Sequence, residues 1–149
     1  MTLSTSPARR GLIIGALLLA AALPASGQDT IEGHTLDGAT FSLPRNWVLG
    51  QPLPLAGTNW TTHAGDRGSV IGVKYDFGEV VPADPVDEVD DLWMRIVVPN
   101  SGEFAVELPF PADAGWEAGE THTVHLLTGM LGDNDKVRNP TLRVTVVAE

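Results

Sequence analysis

The sequence predicts an all-β domain built from two packed sheets, and three observations lead to this fold class. Apolar and polar residues alternate along six short segments between residues 51 and 148. Clusters of Gly, Pro, Asn and Asp separate these segments. After residue 27, no window sustains an apolar repeat of helical period. Six strands with one apolar face each cannot bury those faces in a single open sheet, so two sheets must pack together.

Each predicted strand places one set of apolar side chains on a single face, because side chains alternate along a strand. The inward sets are, in chain order, Leu53 and Leu55; Ile71, Val73, Tyr75 and Phe77; Leu92, Met94, Ile96 and Val98; Phe104, Val106 and Leu108; Val124 and Leu126; and Leu142, Val144 and Val146. Pro52 and Pro54 indicate an edge-type first strand, since proline cannot donate to a sheet ladder. Strand number and spacing favour an immunoglobulin-like β-sandwich, with a small closed barrel as the alternative.

The first 27 residues are predicted to be a helical signal peptide. Arg9 and Arg10 precede an uncharged run over residues 11–23, which ends in small residues up to Gly27. A run of 13 residues is shorter than the ~20 that a membrane-spanning helix needs. Cleavage is expected after Gly27, or alternatively after Ala25, with Sec and twin-arginine export both left open. The chain therefore divides into the signal peptide, a segment over 28–49 that forms an extension, an edge strand or a hairpin, and the sandwich over 50–149.

The net charge and the cysteine content of the chain limit the molecules that it can bind and the kind of protein that it can be. Cleavage after residue 27 leaves 122 of the 149 residues and removes Arg9 and Arg10, which changes the formal net charge from −10 to −12. Nucleic acid and anionic membrane surfaces repel such a domain. The chain contains no cysteine, so an exported domain of this sequence has no disulfide and depends on its hydrophobic core. This combination favours a bacterial protein, secreted or held at the cell envelope, with no stable membrane anchor after cleavage.

Several segments together resemble immunoglobulin-like modules of secreted and surface proteins of actinobacteria. The segments that carry the resemblance are Leu55-Ala56-Gly57-Thr58-Asn59-Trp60, Gly68 to Asp76, Leu92-Trp93, Gly102-Glu103-Phe104, Leu108-Pro109-Phe110-Pro111, Trp116, Ala118 to Val124, and Leu126-Leu127-Thr128-Gly129. The resemblance covers about residues 50 to 148. It implies a mostly non-enzymatic part of larger exported proteins, sometimes beside haem-uptake or cell-wall-associated domains, and it transfers no catalytic residue.

A search for catalytic or metal-binding residues leads to none. His63 and Asp66 belong to a Gly-rich segment whose composition is typical of a tight turn. His122 and His125 are three residues apart on a predicted strand, so they point to opposite faces and do not converge on a metal. The sequence therefore predicts a protein that is not an enzyme, with no catalytic residue, no metal ligand and no cofactor.

The acidic loop over residues 84–91 is the first candidate binding site. It contains the carboxylates Asp84, Asp87, Glu88, Asp90 and Asp91. Calcium prefers several oxygen ligands at close range, so this loop is a candidate calcium site, and Asp133-Asn134-Asp135 is a second one. The alternative interpretation is that both are solvated loops.

The tryptophans are the second candidate. Trp93 falls on the face opposite Leu92 in the predicted strand, which makes it a candidate contact residue. Trp47, Trp60 and Trp116 lie near turns, where indole rings can stack on sugars or hold a partner. The alternative is that the 78–91 connection folds over Trp93 and that the other three rings close the ends of the sandwich.

The sequence thus predicts a secreted, non-enzymatic interaction module that binds a protein or cell-envelope partner. The alternative function is a small-ligand binder for carbohydrate or calcium, using the loop tryptophans or the acidic 84–91 loop.

Overall fold

The computed structural model describes residues 29–86 and 91–149. The predicted signal peptide over residues 1–27 lies outside this range. The elements are β1 (Thr30–His34), β2 (Thr40–Pro44), β3 (Asn46–Val48), β4 (Leu53–Thr58), β5 (Val70–Tyr75), β6 (Met94–Val97), β7 (Phe104–Leu108), β8 (Thr121–Leu127) and β9 (Thr141–Val147), with one-turn 3₁₀ helices at Asp76–Gly78 and Ala112–Ala114. The all-β fold class is confirmed. Among the described residues, no helix has the length and apolar character needed to cross a membrane.

The strands form two separate sheets. The first sheet has the order β1-β2-β4-β7 and is antiparallel throughout. The second has the order β3-β9-β8-β5-β6 and contains one parallel pair, β3 with β9. The chain crosses between the sheets at Arg45, whose N–H donates to the carbonyl of Asp29 while its own carbonyl accepts from Thr145. Residues 30–48 therefore contribute a hairpin to one sheet and an edge strand to the other.

The core lies between the two sheets and contains most of the predicted inward residues. Each of the following is buried, with at most a few per cent of its surface exposed: Leu53, Leu55, Ile71, Val73, Tyr75, Ile96, Val98, Leu108, Val124, Leu126, Leu142, Val144 and Val146. Leu43 and Trp47 join this core from β2 and β3. Burial of side chains at every second position confirms the strand assignments and is the main source of stability in a domain without disulfides.

Three predicted orientations, those of Phe77, Leu92 and Trp93, are wrong because one strand ends early and another contains a bulge. Phe77 was expected to face inward, but β5 ends at Tyr75 and the following 3₁₀ turn leaves Phe77 61% exposed. Trp93 was expected to face outward. Its N–H donates to the carbonyl of Val73, and Met94 is paired with the same residue, so two residues oppose one in the manner of a β-bulge.

The bulge exchanges the faces of Trp93 and Leu92. Trp93 turns toward the core, where its ring stacks on Tyr75 with 5.1 Å between centroids and its Nε1 donates to the carbonyl of Val80. Leu92 is buried on the other face of the second sheet, where its side chain lies over Gly72. The interpretation of Trp93 as an outward contact residue is therefore wrong, and the segment preceding it does cover its ring.

The first predicted strand is not an edge strand. β4 lies between β2 and β7, so Pro54 sits in an interior strand. The missing N–H is tolerated because β2 pairs with β4 only over residues 56–58. Pro54 lies beyond that ladder and is in register with Glu107 of β7.

Candidate functional site

Three connections meet at one end of the two sheets, which we call the groove end. They are the β1–β2 turn over residues 35–39, the β4–β5 connection over 59–69 and the β8–β9 connection over 128–140. The β1–β2 turn is closed by hydrogen bonds from Thr35 N–H to the Ala39 carbonyl and from Gly38 N–H to the Thr35 carbonyl. Gly38 has a φ of 94°, a conformation that glycine adopts at low cost. The groove end is therefore built from structured connections.

Arg138 joins all three connections. Its Nε lies 3.1 and 3.0 Å from the two carboxylate oxygens of Asp37, and its Nη2 lies 2.9 Å from Asp37 Oδ2. Nη2 also donates to the carbonyl of Thr61 at 2.7 Å, and Nη1 donates to Ser69 Oγ at 2.9 Å. The guanidinium is buried, with its carbon 5.3 Å from the centre of the Trp60 ring. A planar group with five donors suits this arrangement, which lysine cannot reproduce.

Asp135 completes the base of the groove end. Its side chain is fully buried, and it accepts hydrogen bonds from Ser69 Oγ, from the backbone N–H of Val70 and from the backbone N–H of Lys136. Arg138 Nη1 lies 3.8 Å from Asp135 Oδ1. Both carboxylate oxygens are therefore engaged by the protein. This arrangement argues against the predicted calcium role of Asp133-Asn134-Asp135, because Asp135 presents no free oxygen to a cation.

A groove of about 510 Å³ lies above this base. Leu36 and Val137 line it from opposite connections, and their side chains are 108% and 82% exposed. His34, His63 and Lys136 also line it. Large apolar side chains held in solvent beside a groove, on a rigid hydrogen-bonded base, are typical of a surface that contacts another molecule.

Asp37 is the carboxylate that links the β1–β2 turn to Arg138 of the β8–β9 connection. Burial acts to raise the pKa of this carboxyl, but hydrogen bonds from Arg138 and Thr35 and the positive charge of Arg138 outweigh burial and hold the pKa well below its usual range. Lys136 Nζ lies 3.3 Å from the same carboxylate. Because its pKa is depressed in the folded protein, Asp37 contributes stability above the unfolded pKa of about 4, and this stability is lost as the pH falls toward the folded pKa.

We therefore expect Asp37→Asn to lower the free energy of unfolding by on the order of 2 kcal/mol at pH 7, since it removes the charged hydrogen bonds to Arg138. The difference from the unsubstituted protein should shrink as the pH falls below about 4, where Asp37 is protonated in the unfolded chain but keeps its charge in the folded protein. Urea unfolding at several pH values measures both effects. Glu107→Gln, at an exposed carboxylate, serves as the control and should cost less than about 0.5 kcal/mol. A difference that does not vary with pH would contradict this account.

The opposite end of the sheets contains an aromatic cluster. Trp47 makes edge contacts with Tyr75, Phe110 and Trp116, with centroids 5.4 to 5.6 Å apart. Trp116 stacks on the imidazole of His122 with centroids 3.8 Å apart. The three loop tryptophans, Trp47, Trp60 and Trp116, are buried, so they close the ends of the core. Their rings are not exposed platforms for sugar stacking.

His122 and His125 lie on opposite faces of β8, as their spacing predicts. His122 points inward, where Nδ1 lies 2.7 Å from Asp76 Oδ2 and Nε2 lies 3.0 Å from Glu120 Oε1. The pKa of the Glu120 carboxyl is lowered by the hydrogen bond from the Glu117 N–H and then by His122. His125 points outward against the edge of the Phe77 ring, and burial lowers its pKa. The pair does not converge on one point, as expected from its spacing.

The remaining sequence candidates are separated in space. His63 lines the groove, whereas Asp66 is exposed in the turn that follows it. Of the acidic 84–91 loop, Asp84 is exposed and Asp91 forms an ion pair with Lys74 at 2.9 Å. Asp87, Glu88 and Asp90 lie outside the described residues, so the calcium hypothesis for this loop stays a prediction.

The groove itself was missed by sequence reasoning. Leu36 and Val137 are about 100 residues apart, and each is a lone apolar residue within a polar turn. The only sequence signal is that Leu36 follows Thr35 and precedes Asp37-Gly38 in a segment whose composition otherwise predicts a solvated turn. Comparison of the chain with protein-family models, with curated proteins and with solved structures gives no match.

Proposed function

We propose that this chain is a secreted, non-enzymatic interaction module that binds a protein partner at the bacterial cell envelope through the groove end. The observation that carries the proposal is the exposure of Leu36 and Val137 on either side of the groove. Two apolar anchors of this kind lose water when a partner covers them, and they lie on a base that requires no ordering when binding occurs.

The fold that we propose is immunoglobulin-like, and strand pairing supports it. The neighbours β2, β4 and β7 correspond to strands A, B and E of that fold, and β5, β8 and β9 correspond to strands C, F and G. In this correspondence, β3 continues the first strand into the other sheet. Domains of this architecture bind partners with loops clustered at one end, which is where the groove lies.

Export is supported by the sequence of residues 1–27, and the absence of cysteine in an exported domain favours a bacterial origin. The resemblance to actinobacterial immunoglobulin-like modules agrees with a non-enzymatic role outside the cytoplasm. A strongly acidic surface suits a soluble exported domain.

Paired variants test the groove as the binding surface. Leu36→Ser with Val137→Ser removes both apolar anchors, and the matched control Val97→Ser removes an apolar residue of β6 that is 69% exposed. Protein purified from cells that express the full-length chain would be immobilised and exposed to cell-envelope extract. We expect the unsubstituted protein and the Val97→Ser control to retain the same protein, and the double variant to retain at most about a tenth as much.

Far-UV circular dichroism and urea unfolding would verify that the double variant is folded, which is expected because both side chains are solvent-exposed. Equal retention by all three proteins, or retention of nothing above background, would show that the groove is not the binding surface.

A further inference from the structure

β1 leaves one edge of the first sheet open. It is an outer strand of that sheet, and no strand of the described residues lies on its other side. Thr35 N–H donates to the Ala39 carbonyl at the end of the β1–β2 ladder, and hydrogen-bonded pairs alternate along an antiparallel ladder. The odd-numbered residues of β1 therefore bond to β2. The backbone N–H and C=O groups of Thr30, Glu32 and His34 point away from the sheet, and no described residue bonds to them.

The other edge strands carry features that hinder the addition of a further strand. β6 begins after the bulge at Trp93 and is closely followed by Pro99. β3 has three residues, and the carbonyl of its last residue accepts from Gln51 N–H. β7 carries Glu107 and is directly preceded by Glu103. By contrast, β1 pairs residue by residue with β2 and contains no Pro, Lys or Arg, so its open edge is the least protected of the four.

The open edge of β1 leads into the groove at the groove end. The hairpin contributes residues 34–37 to the groove lining, which are the last residue of β1 and the three that follow it. The opposite wall is formed by residues 136–140. A strand that pairs with β1 and continues past His34 therefore enters the space between Leu36 and Val137.

Glu32 adds a charge preference to this edge. Its side chain is exposed, and no described residue forms an ion pair with it. Ile31 packs against the core, so Glu32 lies on the outer face of the sheet. A residue of an added strand that lies beside Glu32 faces the same side, where Lys or Arg is favoured and Asp or Glu is disfavoured.

The same charge argues against a second copy of this chain as the occupant. Full antiparallel pairing of two β1 edges brings the open groups of Thr30 opposite those of His34 and places Glu32 opposite Glu32. Like charges directly opposite each other destabilise a pair of strands. The chain itself supplies no strand for this edge either, because the predicted cleavage leaves at most residues 26–28 ahead of Asp29. The occupant that fits is a segment of another protein.

We infer that the partner supplies an extended polypeptide segment that pairs with β1 as a fifth strand of the first sheet. Its main chain exchanges hydrogen bonds with Thr30, Glu32 and His34. A basic side chain of the segment lies beside Glu32, and an apolar one fills the groove between Leu36 and Val137. In this binding mode the main-chain hydrogen bonds provide affinity and the side-chain sites provide specificity. The inference rests on the proposed binding at the groove end and names the chemistry of the partner there.

A phage-displayed library of random peptides of about twelve residues, long enough for a strand and the groove segment, is the probe. It would be selected on immobilised protein purified from cells that express the full-length chain, and the enriched peptide would then be synthesised. Glu32→Pro removes an open N–H and leaves the ladder with β2 intact, so it should raise the dissociation constant of this peptide roughly tenfold or more. The matched control Glu32→Gln keeps the N–H and should change the dissociation constant by about threefold or less. Leu36→Ser with Val137→Ser, which removes the groove contacts, should also raise it roughly tenfold or more.

Amide hydrogen exchange of the unsubstituted protein provides a measurement that requires no variant. Binding of the peptide should slow exchange at the amides of Thr30, Glu32 and His34 by roughly tenfold or more. The amide of Val97, which lies on the open edge of β6, serves as the control and should be unaffected. Urea unfolding would verify that Glu32→Pro is folded, and the exchange result stands even where it is not.

Slowed exchange at the three β1 amides together with weaker binding by Glu32→Pro would support the inference. Equal binding by Glu32→Pro, or unchanged exchange at these amides, would overturn it. If Leu36→Ser with Val137→Ser still lost the peptide in that case, the groove would remain the binding surface. Failure to enrich any peptide would also overturn the inference, without bearing on retention of an envelope protein by the groove end. Protection that rises with protein concentration in the absence of peptide would show that a second copy occupies the edge, which contradicts the inference.

Discussion

Replacing Arg138 by Met is expected to lower the free energy of unfolding by about 3–5 kcal/mol, the largest loss for any charged residue of the groove end. The substitution keeps the apolar stem and removes the guanidinium. Asp135, which is fully buried, then loses the guanidinium that lies 3.8 Å from it, and Asp37 loses its bidentate partner. Asp135 keeps its hydrogen bonds from Ser69, Val70 and Lys136, but a buried negative charge that loses its neighbouring cation is costly because its hydration is only partly replaced. For a domain of this size, such a loss is a large part of the total stability.

Urea unfolding at pH 7 measures this change, with an unchanged dependence on urea concentration as evidence that the folded and unfolded states remain comparable. Arg138→Lys should lie between the two proteins, since it restores the charge without the planar donor geometry. Arg143→Met, at an exposed arginine of β9, is the matched control and should cost less than about 0.5 kcal/mol. A stability of Arg138→Met within about 1 kcal/mol of the unsubstituted protein would show that the buried charges are dispensable.

Replacing Trp47 by Ala is expected to cost a similar amount, about 3–5 kcal/mol, for a different reason. Trp47 is fully buried and contacts the rings of Tyr75, Phe110 and Trp116. Its Nε1 also donates to the carbonyl of Gln51 at 2.6 Å. Alanine would leave a cavity among the three remaining rings, and it would remove the one fully buried side chain of the short strand β3.

Thermal or urea unfolding of Trp47→Ala should be compared with Trp47→Phe, which fills part of the space and loses the hydrogen bond to Gln51. We expect the phenylalanine variant to recover at least half of the loss. Leu49→Ala, at a residue that is 39% exposed two positions away, provides the control for a change in the same segment. If Trp47→Ala cost no more than Leu49→Ala, the aromatic cluster would not be a principal source of stability.

Much of the fold was predictable because burial in a strand follows a period of two residues. The alternation of Leu142, Val144 and Val146 is enough to place all three in the core, and the same holds for Val124 and Leu126. This argument fails where a strand ends or gains a residue. Phe77 and Trp93 follow the sequence pattern, but the turn after Tyr75 and the bulge opposite Val73 place them on the other face.

Turn residues were also predictable, whereas the relations between distant turns were not. Gly65 to Gly68 forms the tight connection that its composition predicts, with Thr61 and Gly68 bridged. By contrast, the contact of Asp37 with Arg138 joins positions about 100 residues apart, and neither residue stands out in its own segment. An ion pair between two connections depends on their distance in the folded protein. The composition of each connection does not determine that distance.

The linear order of residues is therefore sufficient to establish an all-β chain with one core and no disulfide, because periodicity, turn composition and the lack of cysteine are local properties. Three-dimensional packing establishes which side chains remain in solvent and which meet. Leu36 and Val137 line one groove, and Asp37 meets Arg138, only through pairings between distant strands and loops. Long-range pairing depends on how the whole core packs, and no single segment encodes it.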